Sequence, residues 1–111
     1  MKPPGPPSNQ PKPPHAGVLM TAIRKLAVAG SLTYTTHAEQ RLSQRDIDRQ
    51  DVLDVIRIGD IRGKVTAGQN AGEWQCLVVG PPLHSARDIG IAVAVTPTTI
   101  IVIKTVEWID P

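Results

Sequence analysis

The sequence predicts an α+β fold: two to three N-terminal helices packed on one face of an antiparallel sheet of about four strands. Three observations predict it. Apolar residues recur at helical spacing from Leu19 to Ile58, and β-branched runs follow from Ile61 to Trp108. Helices first and strands after is the segregated order of an α+β domain. Setting aside a proline-rich start leaves about 97 residues, enough for one core and no more. Full Rossmann and barrel architectures do not fit in that length.

Each element has its own signal. Residues 1–15 read as a proline-rich disordered tail, because seven of the 11 prolines fall in the first 14 residues and no aliphatic residue follows Met1 there. Its P-x-x-P spacings (Pro3/Pro6, Pro4/Pro7, Pro11/Pro14) are a possible docking ligand, but such spacings come cheaply in proline-rich sequence. Residues 16–111 read as a single α+β domain. Leu19, Ile23 and Leu26 form the stripe of a first helix, stopped by Gly30. A second helix is expected from Thr36 as N-cap, with Glu39 three residues on completing a capping box, to about Gln44. A third runs Arg49 to Ile58, capped by Asp48 and closed by Gly59. Strands follow at Ile61 to Thr66 and Trp74 to Val79, separated by the turn residues Ala67 to Gly72 and ended by Gly80-Pro81-Pro82. Ile89 to Val95 and Thr99 to Trp108 read as a hairpin through Thr96-Pro97-Thr98.

Composition narrows the setting. One cysteine, Cys76, permits neither an intrachain disulfide nor a cysteine zinc site, which suits a reducing compartment. The apolar runs are far shorter than a membrane span, and proline stands where the apolar core of a signal peptide would. A cytoplasmic protein without membrane association is expected. Net charge is +2, but Lys2 and Lys12 in the tail account for all of it. The folded part is formally neutral, so any affinity for a polyanion must come from local placement.

That placement is found in His37-Ala38-Glu39-Gln40-Arg41-Leu42-Ser43-Gln44-Arg45. His37, Arg41 and Arg45 are spaced i, i+4, i+8 and share one helix face within about 80°. Three potentially cationic groups on one stripe repel one another and ask for an anion. A phosphate is the natural one: arginines bind it bidentately and the helix N-terminus adds partial positive charge. Histidine titrates near neutrality, so His37 could move a proton during phosphoryl chemistry. The bland alternative is a solvated face, or a salt-bridge partner of the sheet, with Glu39, Asp46, Asp48 and Asp51 near enough in sequence to neutralise it. The helix is not a zinc-protease helix, because no second histidine sits at i+4 of His37, and His15 and His84 stand apart. Cys76, mid-strand beside Leu77, reads as a buried small hydrophobe. Trp74 and Trp108 read as core or cross-strand residues.

The string Tyr34-Thr35-Thr36-His37-Ala38-x-x-Arg41-Leu42-x-x-Arg45-x-Ile47, followed by Asp51-Val52 and Ile58-Gly59-Asp60-Ile61, resembles domain-of-unknown-function family 4258. The likeness continues through Trp74-x-x-Leu77-Val78-Val79-Gly80 to Val102-Ile103-Lys104-Thr105-Val106, about residues 18 to 109 in all. The resemblance implies a barnase–EndoU–RelE-like fold and a toxin-like role: metal-independent endoribonuclease chemistry, without cofactor, by attack of a ribose 2′-hydroxyl on the adjacent phosphorus. It implies His37 as general acid or base, Arg41 and Arg45 on the scissile phosphate, and Lys104 and Thr105 in the same cleft. Implied partners are RNA and a zinc-finger or DNA-binding antitoxin. Two departures stand out: Asp46 occupies a position where the family often has glycine, and Glu107 and Trp108 lie where RelE-like enzymes often carry a tyrosine. The competing expectations are a non-catalytic module docking nucleic acid or an acidic partner through the basic face, and a purely structural stripe knitting helix to sheet.

Overall fold

The computed structural model describes residues 12–109. The expected tail falls mostly on residues 1–11, outside the described residues; residues 12–15 are irregular and lead into α1 (Ala16–Val28). The order continues β1 (Leu32–Tyr34), α2 (Thr36–Arg45), α3 (Arg49–Ile58), β2 (Asp60–Ala67), β3 (Trp74–Gly80), β4 (Ile89–Val95) and β5 (Ile101–Trp108). The α+β class holds. The sheet, however, has five strands in the order β1-β5-β4-β3-β2, and it is mixed rather than antiparallel. The additional strand is β1, which pairs parallel with β5 over Leu32–Tyr34 against Ile101–Ile103. Three residues are too few to show a period of two, so nothing in the local pattern marks them as a strand.

Helix ends explain why the chain turns where it does. Gly30 takes a left-handed conformation (φ 78°), and the amides of Gly30 and Ser31 bond back to the carbonyls of Ala27 and Leu26. That is a Schellman motif. α2 ends in the same way: Asp46 is left-handed (φ 54°), its amide and that of Ile47 bonding to Ser43 and Leu42. The start of α2 is one residue earlier than expected. Thr35, not Thr36, is the N-cap, its hydroxyl accepting from the Ala38 amide, and Glu39 turns away to pair with Arg49. The reciprocal capping box belongs instead to α3, between Asp48 and Asp51.

The core lies between the helices and one face of the sheet. Ile23, Val52, Val55 and Ile56 meet Val78, Ile89, Ile91, Ile103 and Val106, all essentially inaccessible to solvent. Each such side chain contributes about 1.5–3 kcal/mol on burial. On the opposite face β4 presents Gly90, Ala92 and Ala94, which alternate with the core residues of that strand. Gly59 closes α3 through lack of bulk, not through an unusual backbone angle. A Cβ there would come within 2.6 Å of both the Val55 and Val79 carbonyl oxygens.

Two substitutions test this account with opposite signs. Gly59→Ala is expected to cost about 1–3 kcal/mol, a fall of roughly 5 °C or more in melting temperature. Asp46→Gly, which relieves a left-handed non-glycine residue, should add about 1 kcal/mol. Thermal unfolding followed by circular dichroism checks both; a neutral Gly59→Ala would contradict the close approach of α3 to β3.

Candidate active site

β1 stops at the level of Ile103, leaving the outer edge of β5 unpaired from Lys104 onward. The chain crosses directly from β1 into α2. The Thr35 amide bonds to the Ile103 carbonyl and the Thr35 hydroxyl to the Lys104 carbonyl, at 3.1 Å each. α2 therefore lies along the free edge of β5, with Ala38 and Leu42 buried in the core. An exposed strand edge is a liability, and a covering helix is one of the ways to blunt it.

The last two residues of β5 grip α2 from opposite faces of the sheet. Trp108 faces the core side, opposite Ile89, and its indole N–H donates to the Arg45 carbonyl at 2.8 Å. Glu107, opposite Gly90, faces the other side. Its carboxylate accepts from Arg45 Nε at 2.8 Å and lies 3.3 Å from Arg41 Nε. Arg41 Nε also donates to His37 Nε2 at 3.4 Å, a long bond, and Arg41 reaches the Gln44 side-chain oxygen at 3.1 Å. The structure thus brings His37, Arg41 and Arg45 together on one face and closes that face with Glu107. The hydrogen bond from Arg45, with the charges of Arg45, Arg41 and His37, holds the Glu107 carboxyl below the ordinary carboxylate range, although partial desolvation opposes the shift.

The neutralising acid is not one of those near in sequence. Glu39 pairs with Arg49, which stands over the Tyr34 ring at 4.8 Å, while Asp48 and Asp51 cap α3 and Asp46 caps α2. Burial raises the Tyr34 hydroxyl, so it stays protonated near neutrality. Glu107 was legible only as a lone acid near the end of a β-branched run; its meeting with α2 depends on the β1–β5 pairing.

Lys104 and Thr105 occupy less direct places. The β4–β5 register slips between Ala92 and Val93, so that Lys104 is the extra residue of a bulge. Its carbonyl anchors the start of α2. Thr105, opposite Ala92, shares the face of Glu107, and its hydroxyl is buried without a hydrogen-bond partner. No hydrogen bond or ion pair joins either side chain to His37, Arg41 or Arg45 among the described residues. Among those residues no three His, Cys, Asp or Glu side chains cluster as metal ligands. Burial pushes the Cys76 thiol up to about 11, which leaves it unreactive. No helix among the described residues is long and apolar enough to cross a membrane.

Fold and site together define a small α+β domain in which a His–Arg–Arg helix face closes on a strand carboxylate. The chain belongs to the family described as Domain of unknown function (DUF4258), whose model matches residues 34–108. The match begins at the end of β1, leaves α1 outside and takes in every residue of the cluster, from His37 to Glu107. No curated protein and no solved structure matches the chain.

The depressed Glu107 carboxyl fixes the sign of a pH effect. Its contribution to stability is fully present above the ordinary glutamate range and is lost as pH falls through the lower, folded-state value. Wild type and Glu107→Gln should therefore differ in melting temperature at pH 7 and converge below about pH 4. A difference that stays constant down to pH 2 would contradict the Arg45–Glu107 bond.

Proposed function

We propose that the domain is a small endoribonuclease of toxin-like type, built on a RelE/barnase-like fold and working without metal. The observation that carries this reading is the convergence of two arginines, a histidine and a carboxylate at the edge of β5. RNA cleavage by the 2′-hydroxyl needs one group to take a proton, one to give a proton, and cations for the phosphate. Arg41 and Arg45 hold the scissile phosphate in place of Glu107. Once the arginines turn to the phosphate, Glu107 loses the hydrogen bond that depresses it and becomes a better base. Glu107 then takes the 2′-hydroxyl proton as the O2′–P bond forms. The P–O5′ bond breaks, and protonated His37 gives its proton to the departing O5′. The products are a 2′,3′-cyclic phosphate and a 5′-hydroxyl end. Thr105 shares the face of Glu107 with its hydroxyl buried, which suits a place in the floor beneath the substrate, and Lys104 at the adjacent bulge supplies a further cation. RNA is the proposed substrate, and a zinc-finger or DNA-binding antitoxin the proposed partner.

A second reading has its own observation. The Trp108–Arg45 and Glu107–Arg45 bonds also knit α2 to the sheet, which suits a non-catalytic module that binds nucleic acid or an acidic protein through the remaining basic face. One experiment separates the two. Purified protein is incubated with bulk RNA in EDTA, and the ends produced are identified. Wild type should cleave, while His37→Ala and Glu107→Gln should lose about a hundredfold or more in rate with the fold intact by circular dichroism. No cleavage by wild type, or equal cleavage by both variants, overturns the enzymatic reading. Expression of wild type, but not of His37→Ala, should arrest growth if the role is that of a toxin.

A further inference from the structure

Glu107 stands on the face of the sheet opposite the helical core, and the strand register says what shares that face with it. Thr105 is two residues before Glu107 on β5, and its rung continues through Ala92 and Leu77 to Arg62 on β2. Arg62 therefore points to the same side as Glu107, about three strand spacings or ~14 Å across the sheet. Its side chain leans back over part of that span, because its guanidinium lies 3.9 Å from the Asp88 carboxylate at the start of β4. The Asp88 carbonyl in turn accepts from the amide of Ile109, two residues beyond Glu107. Between Arg62 and Glu107 the floor is low and apolar. A Cβ on Gly90 would come within 2.7 Å of Ile109 Cδ1 and 3.4 Å of Leu77 Cδ1, so these two side chains close over its place. The Arg62–Asp88 pair is loose: it exceeds hydrogen-bond length and its side chains are 58% and 38% exposed. Among the described residues no other hydrogen bond, ion pair or ring contact holds the Arg62 side chain.

We propose that Arg62 binds a second RNA phosphate, on the 5′ side of the cleaved bond, so that the substrate strand crosses the open sheet face from β2 to β5. The inference rests on the ribonuclease reading of the site and adds a direction and a length to its substrate. The direction follows from the roles given to Glu107 and His37. The ribose whose 2′-hydroxyl attacks stands at Glu107 and belongs to the nucleotide 5′ of the scissile phosphate. The departing O5′ stands at His37. His37 lies in the first turn of α2, whereas Glu107 meets the end of that helix at Arg45. The 3′ strand therefore leaves along α2 toward its start, and the sheet face that carries Arg62 is left to the 5′ strand. Arg62 repeats the arrangement at Arg45, a guanidinium held by a carboxylate that a phosphate can replace with two parallel hydrogen bonds. A stacked strand advances about 3.4 Å per nucleotide, so the span from β5 to β2 takes about four nucleotides.

The probes are single-stranded oligomers of 2′-deoxyribose with one ribose, whose 3′ phosphate is the only step that can be cut. One form ends a single nucleotide either side of that step, one is extended by four nucleotides on the 5′ side, and one by four on the 3′ side. Steady-state cleavage in EDTA gives KM and kcat for each. The 5′ extension should lower KM for wild type about tenfold at unchanged kcat. Arg62→Ala should lose that gain and leave the short and 3′-extended oligomers as they are. Its slope of log(kcat/KM) against log salt on the 5′-extended oligomer should be shallower by about 0.7. Lys64→Ala, which removes a neighbouring exposed charge of the same sign, should cost much less. A 5′ gain that survives Arg62→Ala, an equal loss on the 3′-extended oligomer, or an equal loss in Lys64→Ala overturns the subsite. If wild type still cleaves bulk RNA in that case, the ribonuclease reading stands without it; if wild type cleaves neither the oligomers nor bulk RNA, both fall.

Discussion

Three residues of parallel pairing decide where α2 lies, and everything in the site follows from that position. β1 joins β5 only from Leu32 to Tyr34, and the chain then leaves the sheet through Thr35, whose amide and hydroxyl are tied to successive β5 carbonyls. The free edge of β5 beyond Ile103 is thereby occupied by a helix rather than a strand. Alternation along β5 places Glu107 on one side of that edge and Trp108 on the other, and the end of α2 lies between them.

Magnitudes separate what holds α2 from what α2 offers. The Arg45 and Glu107 side chains are 39% and 38% exposed, and a pair this open to solvent is worth about 0–1 kcal/mol. Burial of Leu42, with Ala38 and Ile47, is the larger contribution, and Ile47 is locked in by the Schellman turn at Asp46. α2 stays docked through its apolar side and its caps, so the exchange of carboxylate for phosphate proposed for its arginines does not require the helix to leave the sheet. In the proposed function, Glu107 is the internal occupant of the anion site. That arrangement also answers the repulsion along the stripe, which a formally neutral domain would otherwise carry unrelieved.

Much of the fold was legible because its signals are local. The stripe of α1, the Asp48 cap of α3 and the β4 run from Ile89 to Val95 all stand in the sequence as they stand in the structure. The face shared by His37, Arg41 and Arg45 was legible too, since four-residue spacing is a property of the helix itself. What escaped was non-local. Leu32–Tyr34 carries no periodic pattern, and its status as a strand comes from a partner some 69 residues later. Glu107 is 62 positions from Arg45, so its role was hidden for the same reason. The one-residue error at the start of α2 has a different cause: Thr35 and Thr36 are chemically equivalent caps, and the bond of Thr35 to β5 chooses between them. Asp46, read as a stray carboxylate near an anion site, serves the backbone instead, in a left-handed position that glycine fills at least cost.

The central claim is that α2 presents an anion site which Glu107 occupies until a phosphate replaces it. The most direct measurement is a side-chain NMR titration of the arginine Nε–H groups with a dinucleotide whose 2′-hydroxyl is removed. The Arg41 and Arg45 signals should move together and saturate at one concentration, while the Glu107 carboxyl titrates at higher pH in the complex than in the free protein. Resonances of both arginines that stay still at saturating dinucleotide, or a Glu107 carboxyl whose titration is unchanged by it, would contradict the claim.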